Sequence, residues 1–167
     1  MNDSYIVING KKTELTEEQL KALGIEMKPT RKNPFEKVVK GFTYYIINRH
    51  GDVDAYTQTD DAVDDTLLKC CNYFNDKSFA KQVALHQLLY RKLLKFAYDN
   101  GCEDTAEWNR KNQHWCIYYS NSRERFDTTW HYLAQYSYVY FSTREGVQAA
   151  IEEVVEPFMK EHPDFVW

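Results

Sequence analysis

A chain of 167 residues and 19.9 kDa has room for one ordinary domain or two very small ones. Its 43% hydrophobic and 28% charged residues are the balance of a soluble globular fold, and no apolar stretch approaches the roughly 18–20 residues that a bilayer crossing needs. The net charge of −4 argues against a protein built around nucleic-acid phosphates, and MNDSYIVING lacks the basic and apolar regions of a signal peptide, so a cytoplasmic location and no membrane partner are expected.

The first segment, 1–26, reads as a hairpin followed by a helix. Tyr5-Ile6-Val7-Ile8 is a short apolar strand, Asn9-Gly10 tolerates the positive φ of a tight hairpin turn, and the return strand runs to about Leu15. Thr16 with Gln19 forms a capping-box pattern, Leu20 and Leu23 supply an apolar face, and Gly24 stops the helix. Residues 27–34, with Pro29 and Pro34 around basic residues, read as a linker.

Beyond it the chain repeats itself. In the first unit, 35–100, Phe42–Asn48 and Val53–Thr57 are strands about the turn Arg49-His50-Gly51-Asp52. Leu67–Phe74 reads as a third strand, and Asn75 is placed to cap a helix over 76–98 with Phe79, Val83, His86, Tyr90, Leu93 and Ala97 on its inner face. The second unit, 101–160, has the same order. Trp115–Tyr119 and Phe126–Trp130 flank a turn, Tyr138–Phe141 is a third strand, and Ser142 opens a helix with Val147, Ile151, Val154, Val155 and Phe158 inward, which Pro157 kinks or ends. "NYFNDKSFA" and "VYFSTREGVQAA" are the same strand-to-helix joint written twice. The predicted class is therefore α+β: an N-terminal ββα element followed by two β-β-β-α units, with 35–167 packed as one domain.

Chemistry-bearing patterns are sparse. The four cysteines include no C-x-x-C pair, the five histidines have no metal-ligand spacing, and no nucleophile elbow, phosphate loop or dinucleotide fingerprint is present, so no metal, no cofactor and no enzymatic activity are expected. Two features stand out. Asp52, Asp54, Asp60, Asp61, Asp64 and Asp65 have no Lys or Arg among them up to Leu68, and read either as a solvated loop or as a negative patch that docks on a basic partner. Aromatic residues reach 16% and crowd the second unit; most must fill a small core, but adjacent Tyr118 and Tyr119 cannot share one strand face. Trp130 and Tyr136 are the candidate exposed anchors for a partner, and the same surface leaves a homodimer open.

Taken together, "YIVINGKKTELTEEQLKALGI", "YYIINRHGDVDAYT", "NYFNDKSFA" and "VYFSTREGVQAAIEEV" resemble accessory proteins of phages and prophages of Gram-positive bacteria. That resemblance implies a binding protein that counters a host defence system, first among such proteins an anti-CRISPR protein blocking a Cas nuclease such as Cas9; it brings no catalytic residues with it. A second resemblance, three strands and a helix opening with F-S-T-R-E, is to the AP2-like arm-binding domains of phage integrases, which implies direct DNA binding. The acidic balance ranks it second, although Lys28, Arg31, Lys32, Lys37 and Lys40, with Arg91, Lys92 and Lys95, form local basic clusters.

Overall fold

The computed structural model describes residues 5–8, 11–14, 33–135 and 138–167, and the chain divides into two units, Met1–Asn33 and Pro34–Trp167. In the first unit β1 (Tyr5–Ile8) pairs antiparallel with β2 (Lys11–Glu14), Tyr5 opposite Glu14 and Ile8 opposite Lys11, the register that a two-residue turn imposes. The expected helix from Thr16 and the linker up to Lys32 lie outside the described residues.

Residues 34–167 contain two antiparallel hairpins and helices, an α+β architecture. The first hairpin pairs β3 (Thr43–Ile47) with β4 (Val53–Thr57). Gly51 in its turn takes φ 93°, a left-handed conformation that a β-carbon disfavours. Then come α1 (Ala62–Lys69) and the long α2 (Lys77–Asp99). The second hairpin pairs β5 (His114–Ser120) with β6 (Arg125–His131), and one continuous helical segment follows: α3 (Arg144–Ala150), a π turn (Ile151–Val155) and α4 (Glu156–Glu161).

The third strand of each expected β-β-β-α unit is absent. Leu67 and Leu68 belong to α1, because Asp61 and Asp64 nucleate a helix that overrides the strand propensity of the segment, and only Phe74 reaches the sheet. Tyr138–Phe141 likewise reduces to one paired residue, Phe141. What repeats is a tighter device. Phe74 and Tyr45 exchange two backbone hydrogen bonds (2.7 and 2.9 Å), and Phe141 and Trp115 exchange two (3.2 and 2.8 Å). In both cases the phenylalanine is docked on the first strand of its hairpin, and the helix cap stands two positions later. The caps are Asp76, which accepts from the Ser78 and Phe79 amides, and Thr143, which accepts from Gly146, rather than Asn75 and Ser142. Asn75 instead ties its amide to the Pro34 carbonyl (2.8 Å), and Ser142 ties its own to Cys102 (2.9 Å).

The main core draws on both hairpin–helix units. Leu85, Leu89, Leu93 and Ala97 of α2 pack with Ile117 of β5, Phe141, Val147, Ile151, Val155 and Phe158. The buried stripe of α2 is rotated from the one expected: Ala80 and Ala84 are inside, while His86 and Tyr90 are exposed, since alanines let the helix approach closely and leave the rings at its margin. A smaller cluster of Tyr44, Ile46 and Tyr73, with Val38, Leu67 and Leu68 around it, lies between the first hairpin and α1. Gly146 sits where an added β-carbon would come within 2.9 Å of the Cys102 β-carbon, so the start of α3 tolerates no side chain there. Pro157 does not end the helical segment; it falls in the first turn of α4, directly after the π turn, whose altered hydrogen bonding accommodates its missing N–H.

Replacing Thr143 by Ala should lower stability by about 1 kcal/mol through the lost cap, whereas Ser142→Ala should cost clearly less. Urea denaturation of the two variants beside the parent chain makes the comparison, and equal losses would contradict the cap assignment.

Candidate functional site

The acidic run is built into the fold. Asp61 is the N-cap of α1, accepting from the amides of Val63 (2.8 Å) and Asp64 (3.0 Å), and Thr59 donates its hydroxyl to the second oxygen. Asp64 closes the capping box and is buried, only 2% exposed. Its carboxylate accepts from the Tyr44 hydroxyl at 2.7 Å, from the Thr59 and Asp60 amides at 2.8 and 2.7 Å, and from the Thr59 hydroxyl at 3.1 Å. With the Asp61 amide (3.3 Å) included, three amides and the Tyr44 hydroxyl surround one carboxylate, joined by the single Thr59 hydroxyl hydrogen that Asp61 and Asp64 share, which makes its burial affordable. The Tyr44 hydrogen bond, opposed by burial and reinforced by the backbone amides, holds this carboxyl down at about 2. Burial and the same bond push the Tyr44 hydroxyl well above its usual value.

The rest of the network extends outward. Tyr73 stacks on Tyr44 (centroids 4.0 Å apart, 16° between planes) and donates to the buried Gln58 (2.7 Å). Gln58 donates to Asp60 (2.9 Å), and Asp60 pairs with Lys37 (2.9 Å). The run is therefore not unanswered: Lys37 arrives from before β3 and also approaches Asp65 at 4.0 Å. Asp54 accepts from Asn48 across the hairpin (3.0 Å). Asp52, Asp61 and Asp65 remain at the surface; Asp64 cannot meet a partner. The spacing Asp61-x-x-Asp64 is itself a capping-box signal, and it starts a helix where the sequence predicts a loop.

The aromatic candidates fare differently. Trp130 is exposed at 37% and stacks edge-on against Tyr132 (4.7 Å), next to exposed Leu133. Tyr136 lies outside the described residues. Tyr138 is exposed, reaches His131 (5.7 Å) and Tyr140 (6.1 Å), and lines an apolar groove of about 230 Å³ with Leu89, Tyr90, Leu93, Ile117 and Trp167. Tyr119 and Phe126 are opposite each other in the hairpin register, and Phe126 meets Trp167 at 4.7 Å. Tyr118 is half-buried and Tyr119 exposed, as alternation demands.

One constellation had no sequence signature. His114 is fully buried, holds Asp104 at 2.6 Å through Nδ1 and stacks on Trp108 at 3.4 Å with 11° between the planes. Its Nε2 is buried without a hydrogen-bond partner, so the pair has no described path to a substrate. Cys116, two residues along the strand, is also fully buried, and burial pushes its thiol up to about 12. Among the described residues no three His, Cys, Asp or Glu side chains converge as a metal would require, and no helix is long and apolar enough to cross a membrane.

Tyr44→Phe should cost about 1.5–3 kcal/mol, the range for a hydrogen bond to a charged group. Because Asp64 titrates at about 2 in the folded chain and at about 3.9 when unfolded, its contribution is complete above the unfolded value and drains away as pH falls through the folded one. Denaturation midpoints between pH 5 and pH 2 should therefore fall less steeply in Tyr44→Phe than in the parent chain; parallel slopes would remove the bond from the acid response. No family model matches the chain, and comparisons with curated proteins and with solved structures return no match.

Proposed function

We propose that the chain is a non-enzymatic binding protein whose contact surface is the exposed aromatic face of the second hairpin and the groove beside it. The observation that supports this is the exposure of Trp130, Tyr132, Leu133 and Tyr138, each more than a third exposed, at the end of the second hairpin, where Trp130 meets Tyr132 and Tyr138 lines the groove. Tyr and Trp present large rigid area with few torsions to freeze, which suits them to anchor a partner. The buried Cys102 and Cys116 and the sealed His114 Nε2 fit binding better than nucleophilic catalysis. The resemblance to phage accessory proteins supports a bacterial defence protein as the target, a Cas nuclease first among the candidates. Such a nuclease carries basic surfaces for its nucleic acid, and the net charge of −4 suits approach to them.

The acidic segment keeps a smaller part in this reading. Asp52, Asp60, Asp61 and Asp65 are exposed, but Asp60 is paired with Lys37 and Asp61 is committed to its cap. Direct DNA binding is the weaker alternative: Lys37 is paired with Asp60, Lys95 with Asp99, and Arg123 and Arg125 both with Asp127.

The partner is to be captured from a host lysate with the tagged chain and identified by mass spectrometry. Trp130→Ala and Tyr138→Ala should then raise the off-rate by about tenfold or more each, the effect of losing an interface anchor of roughly 1.4–2 kcal/mol. Asp52→Asn with Asp65→Asn should slow association and flatten its salt dependence with little change in off-rate. A gel shift on random duplex DNA should show no complex at near-physiological salt. Aromatic variants that bind and inhibit like the parent chain would move the surface elsewhere.

A further inference from the structure

A cleft of about 630 Å³ opens on the first hairpin–helix unit, and its lining has a sign opposite to that of the protein. Arg49 and His50 enter it from the β3–β4 turn, Cys70 and Cys71 from the end of α1, and Gln87 and Arg91 from α2. No Asp or Glu lines it, and Asp52 of the same turn is not part of the wall. Neither Arg49 nor Arg91 has a carboxylate within ion-pair distance among the described residues, although the chain has 25 acidic residues against 21 basic ones.

The two guanidinium-bearing walls are held together. Arg91 Nη2 lies 3.6 Å from the point where a β-carbon on Gly51 would stand, so the helix places its charge against the turn that carries Arg49 and His50. Arg49 Nε donates to His50 Nε2 (3.1 Å), which fixes the guanidinium and leaves its terminal amino groups free to donate. Like charges gathered without a counter-charge repel, and an anion between them removes that repulsion. Two planar forks match the oxygens of a phosphate better than they match a point acceptor. The half-buried Leu88 gives the cleft an apolar wall, and the exposed Gln87 amide is a polar handle beside it. We propose that this cleft binds a small phosphate-bearing ligand of nucleotide size, with Arg49 and Arg91 on the phosphate and the half-buried Leu88 side receiving the organic part. The volume is within the range of small-molecule sites.

The two exposed thiols report occupancy. Cys70 and Cys71 are exposed while Cys102 and Cys116 are buried, so alkylation of the folded chain by iodoacetamide marks the cleft selectively. The full chain is alkylated in the presence of ADP, inorganic pyrophosphate, adenosine, citrate or a short single-stranded oligonucleotide, and modification is followed by peptide mass. ADP should slow labelling of Cys70 and Cys71 at the lowest concentration, pyrophosphate should do so more weakly, and adenosine should not. Arg49→Gln and Arg91→Gln should each raise the ADP concentration required by about tenfold or more, the size of one charge-assisted contact, with an unchanged melting temperature. Absence of protection by both ADP and pyrophosphate would overturn the proposal. So would citrate protecting as well as pyrophosphate, which would make the ligand a carboxylate. Protection by the oligonucleotide below the ADP concentration would reassign the cleft to nucleic acid and overturn the small-ligand reading.

Discussion

Everything in 34–167 is arranged around two pairs of backbone hydrogen bonds, Phe74 with Tyr45 and Phe141 with Trp115. Each pair fixes the chain on the first strand of a hairpin one short step before a helix begins, so the direction of that helix is set by strand geometry. A two-stranded hairpin is marginal on its own. Here the docked phenylalanine satisfies backbone groups on the strand's free side and fills the space beneath it, since both rings are at most 1% exposed. The helices can then lie across the hairpins and share a core, with α2 packing on residues of both units.

The same joint shows how far residues alone could be read. The hairpins at 43–57 and 114–131, the long helix near 77–99 and the repeat itself were legible, because alternation, turn residues and helical spacing are local properties. The two third strands were not. A Tyr-Phe pair with strand propensity looks alike whether it forms a ladder or a single bridge, and the difference is set by what the neighbouring segment does. For 62–69 that was decided by Asp61 and Asp64, whose carboxylates favour the first turn of a helix over an extended chain. Of the candidate site, the exposure of Trp130 was legible from alternation and crowding, whereas the burial of Asp64 was not. It depends on Tyr44, twenty positions away, offering its hydroxyl.

Charge in this molecule thus has two distinct uses. Asp64, Asp61 and Asp60 are structural, joined through Tyr44, Tyr73, Gln58 and Lys37 into one network that fastens α1 to β3. A buried carboxylate with five or so donors is a rigid hub, because moving any donor leaves charge unsolvated. The cations at Arg49 and Arg91, by contrast, have no such obligations, and the turn that holds them is fixed from the side by Asn48, whose side chain accepts from the His50 and Asp52 amides.

The bridged phenylalanines also bear on how the chain reaches its native state. Each joins residues of one hairpin–helix unit, so the loop it closes is contained within that unit and costs modest chain entropy. The contacts between α2 and the second unit are more distant in sequence and yield little until both joints exist. Assembly in two local steps followed by docking of α2 is the route of least entropic cost, and the early species on it would display Leu85, Leu89 and Leu93 to solvent. A cell making this protein therefore handles, for the interval before docking, a helix with a bare leucine stripe, which is the kind of surface chaperones bind.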